Sequence, residues 1–335
     1  MPTTQVNIVV SQPRIIAGDV LHVSVLVDSA DPSTVIQSLT AEVKGVGRTG
    51  WVNIHTDKIF ETEKLYFLSQ FALCPPNMPI NVGKHQFPLQ VLIPEDAPSS
   101  YESQFGTVRY HIKVILSANT DQASCTEVFP IVVLARSSFD QVPVNVLSPI
   151  DFKDEVDFTC CTLPFGCVSL IVSLPRTAFR LGEGIEAQVT VHNRTRKGLK
   201  ECALQLCMKT QFEAMSRYEH VNEKKLNEHL IEMAALGKVK ARHKQVFAKC
   251  VIRIPEGAPP TQNYHRGGGD TAIIAIHYVL KFTALPGIEC EIPLIVTSIG
   301  YADKAKHAAF VLHSQRRSPG QQRVIRNIME EKLMC

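Results

Sequence analysis

FPLQVLIPEDAPSSYESQFGTVRYHIKVIL, residues 87–116, reads as two β-strands around a proline-rich loop. Side chains alternate between the faces of a strand, so Phe87, Leu89, Val91 and Ile93 share one side. Pro94 ends that run because it has no N–H to give to a ladder. Beyond the loop, Val108, Tyr110, Ile112, Val114 and Leu116 share a face, with Thr107, Arg109, His111 and Lys113 opposite. A looser copy, VFAKCVIRIPEGAPPTQNYHRGGGDTAIIAIHYVLKFTA, returns at 246–284. There Ala248, Cys250, Ile252 and Ile254 precede Pro255, and Ile276, Tyr278, Leu280, Phe282 and Ala284 form the second face. Pro255 follows Pro94 by 161 residues and Tyr278 follows Tyr110 by 168, so the second loop is seven residues longer and takes in Gly267-Gly268-Gly269.

The correspondence continues on both sides. Gly18-Asp19-Val20-Leu21 opens a strand carrying Leu21, Val23, Val25 and Val27; Gly182-Glu183-Gly184-Ile185 opens one carrying Ile185, Ala187, Val189 and Val191. Glu63-Lys64 matches Glu223-Lys224, and 128–134 matches 292–299. Period-2 segments between Gly, Pro, Asn and Asp turns indicate antiparallel sheets, and one buried face per strand suits a sandwich. The predicted fold class is all-β: two tandem immunoglobulin-like antiparallel β-sandwiches, 1–140 and 165–300. A connector at 141–164 joins them, expected to pack between the two, and a basic C-terminal tail spans 301–335. NEKKLNEHLIEMAAL, 222–236, is rich in helix formers, but the duplication aligns it with EKLYFLSQFAL and so predicts strand.

At 335 residues the chain can form two domains, each burying roughly two-thirds of its unfolded surface. The net charge of +3 is too small to argue for nucleic acid, and no apolar run reaches the roughly 18 residues of a membrane span. MPTTQVNIVVSQPR shows no secretory pattern, from which a cytoplasmic, reducing setting follows as an expectation. The ten cysteines are then free thiols, several of them core residues, and the sequon at Asn193 goes unused. Gly45-Val-Gly-Arg-Thr-Gly50 spells a dinucleotide fingerprint, but strand-like residues follow it, so a glycine hairpin turn is the reading. Cys160, Cys161 and Cys167 lack the partners of a zinc site and read as structural thiols; His220, His229 and His243 read as surface residues. No catalytic motif and no cofactor or metal site is recognised, so an enzyme is not expected.

Two basic groups stand out: Arg194, Arg196, Lys197 and Lys200 on one hairpin, and Lys238, Lys240, Arg242 and Lys244 on another. Guanidinium and ammonium groups hydrogen-bond phosphate oxygens, so phosphate, an acidic partner or anionic lipid are candidate ligands, against a plain solvated face. In the tail, Val324, Ile325, Ile328, Met329 and Leu333 line one side of a helix over 321–333. Self-docking, partner binding and disorder all stay open for it.

These residues resemble the arrestin superfamily. The pattern Gly45, Trp51, then Gly83 with Phe87, then Pro94, Pro98 and Ser99, then Tyr110 resembles the arrestin N-domain, and Pro255 and Tyr278 repeat it in the second half. Val146–Asp151 resembles the interdomain segment; Gly166–Leu170, Leu181–Ile185 and His192–Thr195 resemble the start of the C-domain. The α-arrestins are the nearest likeness. The resemblance implies a non-catalytic cytosolic adaptor, in some settings peripheral at the plasma membrane or endosomes, that binds cytoplasmic parts of membrane proteins for endocytosis or protein transport. The alternatives are a structural subunit of an endosomal coat or retrieval complex and a phosphoinositide-binding module. The chain departs from the α-arrestin pattern in having no P-P-x-Y, since Pro75-Pro76 and Pro259-Pro260 lack the tyrosine, and in having no lysine from Val6 to Gln12.

Overall fold

The computed structural model describes residues 4–119, 124–160, 163–219, 221–262 and 272–299. His220, Cys161, Cys335, Gly267-Gly268-Gly269 and the tail lie outside them. The strands of the first half are β1 (Thr4–Val10), β2 (Arg14–Ile16), β3 (Val20–Ser29), β4 (Val35–Asn53), β5 (Lys58–Ala72), β6 (Met78–Pro79), β7 (Gly83–Leu92), β8 (Tyr101–Ser103), β9 (Gly106–Ala118) and β10 (Cys125–Leu134). The second half has β11 (Ile150–Cys160), β12 (Leu163–Leu174), β13 (Ala178–Arg180), β14 (Gly184–Asn193), β15 (Leu199–Ser216), β16 (Asn222–Val239), β17 (His243–Arg253), β18 (Ile274–Leu285) and β19 (Ile288–Thr297).

Each half is a two-sheet sandwich. In the first, β1-β3-β7 faces a sheet in which β5, β4, β9 and β10 are neighbours; in the second, β11-β12-β14-β17 faces one in which β16, β15, β18 and β19 are neighbours. The alternation read from the sequence is the core: Leu21, Val23, Val25, Val27, Val91, Ile93 and the even residues of β9 are buried, as are Ile185, Ala187, Val189, Val191, Cys250, Ile252 and Ile254. The helix-forming run at 222–236 is strand β16, paired along β15. Cross-strand partners override its helix propensity.

The duplication extends to individual hydrogen bonds. The Tyr110 hydroxyl donates to the Pro98 carbonyl at 2.7 Å, and the Tyr278 hydroxyl donates to the Pro259 carbonyl at 2.6 Å. Ala97 N donates to Pro94 O, and Ala258 N to Pro255 O. Gly18 N donates to Ile93 O, and Gly182 N to Ile254 O, with both glycines at positive φ. A short parallel strand caps each larger sheet, β2 on β10 and β13 on β19.

Two expectations are corrected. Gly45, Gly47 and Gly50 form no turn: they lie inside β4, which runs unbroken against β5 and β9. A Cβ on Gly45 would lie 2.2 Å from the Tyr110 ring, and one on Gly47 would lie 2.6 Å from the Tyr66 ring. These glycines leave room for aromatic rings. The 141–164 connector is shorter than expected, because β11 starts at Ile150 and pairs with β12 as the edge strand of the second sandwich. Phe152, Val156 and Phe158 alternate toward the core, a strand pattern within the apolar composition that suggested a packed linker. What remains is two 3-10 turns, 139–141 and 144–147, pinned where Val146 O accepts the Thr177 amide.

The halves are not separate bodies. β15 pairs with β5 at Met215–Glu61 and Ser216–Phe60, making one 12-stranded sheet, and the buried apolar residues form one contiguous cluster.

Candidate functional site

Where the halves meet, the contacts are polar and specific. The Gln262 side chain, almost wholly buried, accepts the Ser99 amide at 2.9 Å and donates to Ile274 O at 3.1 Å. Ser99 in turn accepts the Ala135 amide on its hydroxyl. Ser298 closes the far side, its hydroxyl accepting Ser137 N and donating to Ala135 O. Gln262→Leu would leave two buried backbone groups unpaired, an expected loss of about 2 kcal/mol. Urea titration measures that loss, and faster amide exchange at Ser99 would localise it.

At one end of this junction two hairpin tips lie side by side. The tip joining β4 to β5 is held by the Asn53 side chain, which accepts the His55 amide; the tip joining β15 to β16 is closed by Ser216 N donating to Val221 O. Arg217 grips Glu61 with two bonds of 2.9 Å, and Lys58 meets Glu219 at 2.6 Å. Trp51, stacked on Phe60, donates its indole N–H to Glu223 at 3.1 Å, and Lys225 lies 4.0 Å from the centre of the Phe105 ring. Arg217, Glu61, Lys58, Glu219, Trp51 and Glu223 thus join the halves at this crest. Beside the exposed polar His55, Thr56 and Asp57 it presents large apolar or aromatic side chains to water: Ile54 is 82% exposed, Tyr218 76%, Val221 54% and Val52 52%. None of these was singled out by motif, since an isolated apolar residue between strands carries no spacing signal.

The two basic groups do come together. Asn193, fully buried, donates to the carbonyls of Lys197 and Lys240 and accepts from the Thr195 amide and hydroxyl. One side chain thus ties the 194–200 loop to the turn after β16, and Arg242 N completes the contact by donating to Thr195 O. Lys238 is the last residue but one of β16, Lys240 and Arg242 lie at the turn, and Lys244 pairs with His192 at the start of β17. Arg194 is partly engaged by Glu155 at 3.7 Å. Burial of the Asn193 amide also closes the sequon to glycosylation in the folded chain.

The family-signature residues are structural. Trp51, Phe87, Tyr110 and Tyr278 are buried, Gly83 opens β7 at a φ of 118°, and Pro94, Pro98, Ser99 and Pro255 shape the two matching loops. Cys202, Cys207, Cys250 and Cys290 are buried core thiols, and burial pushes the Cys207 thiol up to about 11.

One charged group lies nearly inside the second sandwich's larger sheet. Lys281, with its side chain 10% exposed, meets Glu228, Glu289 and Glu291 at 2.7, 2.7 and 3.1 Å. Burial pulls its pKa down, but the three carboxylates outweigh it and hold the pKa above the usual lysine range. Bonds from Lys281 and Lys209 respectively hold Glu228 and Glu291 below the usual carboxylate range. Depressed carboxylates stabilise the fold above their unfolded pKa, and that contribution fades as pH falls through the lower folded values. Lys281→Met should cost about 2 kcal/mol at pH 7, less than a fully buried pair because the carboxylates keep water. The gap from wild type should narrow below about pH 4, which denaturation across pH measures.

A duplicated, edge-joined pair of β-sandwiches with matching tyrosine–proline loops is the arrangement of an arrestin. The N-terminal domain model of "Arrestin (or S-antigen)" matches residues 11–136 and the C-terminal domain model matches 164–301. The chain belongs to the arrestin family and is α-arrestin-like. It is 67% identical to arrestin domain-containing protein 15 of Caenorhabditis elegans over 99% of its own length and 90% of that protein's. It is 24% identical to arrestin domain-containing protein 1 of Rattus norvegicus over 76% of its length, and spans 55% of the rat protein. Arrestin domain-containing protein 17 of C. elegans is 23% identical over 84% of the chain and 67% of that relative. Among the described residues no helix is long and apolar enough to cross a membrane.

Proposed function

We propose that the chain is a non-catalytic adaptor that binds cytoplasmic segments of membrane proteins for endocytic or endosomal transport, working in the cytoplasm and at membrane surfaces. The crest supports this reading: Val52, Ile54, Tyr218 and Val221 stand in water at two adjoining tips that Arg217–Glu61 and Lys58–Glu219 hold together. Clustered exposed apolar residues mark interaction surfaces. Both halves contribute to the crest, so a partner docked there reads their relative position. Affinity capture from detergent-solubilised membranes tests the reading. Wild type should enrich integral membrane proteins, and Ile54→Asp with Tyr218→Asp should lose them. Stoichiometric capture of soluble coat subunits alone would instead assign the chain to an endosomal coat or retrieval complex.

The basic end favours a second, compatible role. Arg194, Arg196, Lys197, Lys200, Lys238, Lys240, Arg242 and Lys244 meet around the Asn193 clamp and fit an anionic lipid surface or a phosphate-bearing partner. Flotation with phosphoinositide vesicles should carry the chain upward at low salt and less so at high salt. Absent or salt-insensitive binding removes this role.

A further inference from the structure

β5 carries a backbone edge that neither the crest nor the basic end uses. One side of the strand pairs with β4 throughout. On the other side β15 takes only Phe60 and Glu61, and among the described residues no strand pairs with the rest. The ladder to β4 is bulged at Gly45–Val46 and then regular from the Gly45–Phe67 pair to the Thr40–Ala72 pair. Along Phe67–Ala72, therefore, every second residue turns its N–H and C=O away from β4. Charged side chains commonly block such an edge. LYFLSQFAL, 65–73, has none. The preceding Glu63 is held by Arg48, and the Gln70 side chain is turned to Glu42 by a bond of 2.9 Å. Leu68 is 46% exposed on the outer face, while Phe67 and Phe71 are half-buried against the core.

The copy of this strand in the second half is guarded. β16 corresponds to β5 through the match of Glu63-Lys64 with Glu223-Lys224, yet it carries Lys224, Lys225, Glu228, Glu232 and Lys238. Glu232 also accepts the Arg253 amide from β17. The same edge is closed by charge in one half and left open in the other. Hydrogen-bond chemistry selects the occupant. Alternating backbone donors and acceptors are met by another extended strand, whereas a helix has already paired its own backbone groups. Size decides between a partner segment and a second copy. Phe67–Ala72 runs about 20 Å and a sheet layer is about 10 Å thick, so pairing there covers about 200 Å² on each side. That is far below the roughly 1,200 Å² of a stable dimer and suits a transient peptide contact.

We propose that this edge takes an extended, uncharged segment of a protein partner as an added β-strand. The backbone of that segment bonds to Phe67–Ala72, and its side chains lie beside Leu68 on one face and beside Phe67 and Phe71 on the other. The assignment goes beyond the adaptor reading and stands or falls separately, since it names a different surface and a segment that need not belong to a membrane protein. Recognition through the backbone also gives a readout that mere stickiness would not move, because only alternate amides of an added strand face β5.

The probe is a labelled synthetic peptide of alternating valine and threonine, titrated with the full chain by fluorescence anisotropy. Leu68→Lys should weaken binding about tenfold, whereas Ile54→Asp at the crest and Lys240→Gln with Lys244→Gln at the basic end should leave it unchanged. The melting temperature of Leu68→Lys verifies its fold. Two further peptides, N-methylated at odd or at even positions, test wild type alone. One of them should bind about tenfold more weakly and the other as the parent does. Amides of 67–72 that β4 leaves unpaired should exchange more slowly with the parent peptide bound. No binding by wild type, equal affinity in Leu68→Lys, or equal binding of the two methylated peptides overturns the proposal. So does self-association that Leu68→Lys abolishes, which would make this edge an interface between copies of the chain.

Discussion

Gly45→Ala is expected to lower folding stability by about 3 kcal/mol, a large effect for one methyl group in a strand. The added Cβ would lie 2.2 Å from one Tyr110 ring carbon and 2.4 Å from another, inside any attainable contact. The ring cannot swing away, because its hydroxyl donates to Pro98 O at 2.7 Å in a buried setting. Accommodation must therefore either break that bond, leaving two buried polar atoms unpaired, or spread β4 from β9 in the middle of the larger sheet. Gly50→Ala is the control: the nearest atom to its Cβ is Phe60 O at 3.4 Å, so a loss under about 1 kcal/mol is expected. Urea midpoints of the two variants decide the matter, and similar losses at both positions would mean that the tyrosine loop does not set the strand spacing.

Asn193→Ala comes next in size, and its consequence reaches the basic end. Its amide makes four hydrogen bonds at a position with no exposed surface. Truncation leaves the Lys240 carbonyl and the Thr195 amide without these partners, an expected loss of about 3 kcal/mol. All eight basic side chains remain, but the tie between the 194–200 loop and the β16–β17 turn is gone. Salt-sensitive binding to anionic vesicles should therefore fall without any change in charge. Asn193→Asp keeps the acceptor but turns a buried carboxylate oxygen toward the carbonyls of Lys197 and Lys240, so at pH 7 it should be at least as destabilising as alanine. If the alanine variant melts normally yet binds vesicles as wild type does, the clamp has no part in assembling the patch.

Much of the architecture can be read from one strand pair and its copy. The offset between Pro94 and Pro255 carries over to Pro98 and Pro259, whose carbonyls serve the two matching tyrosines. The same alignment outweighed helix propensity at β16, because a partner strand supplies what local preference does not. Long-range packing hid the rest. The glycines of β4 resemble a turn because the rings that need their space, Tyr66 and Tyr110, are far off in sequence. β11 resembles a linker because its register is set by β12 across a hairpin. Composition alone marked the two basic groups, but their meeting depends on Asn193, which reads locally as a sequon. The crest left no motif, since its character comes from two distant turns placed together by Arg217, Glu61, Lys58 and Glu219.

Site-specific photo-crosslinking tests the central claim most directly, that partners dock on a surface built by both halves at the crest. A photoreactive phenylalanine analogue placed at Ile54 or at Tyr218, one tip from each half, reports what touches each in cells. The account predicts that both positions yield adducts with the same set of membrane proteins, on their cytoplasmic segments. Adducts confined to unrelated soluble proteins, or disjoint sets at the two tips, would contradict it.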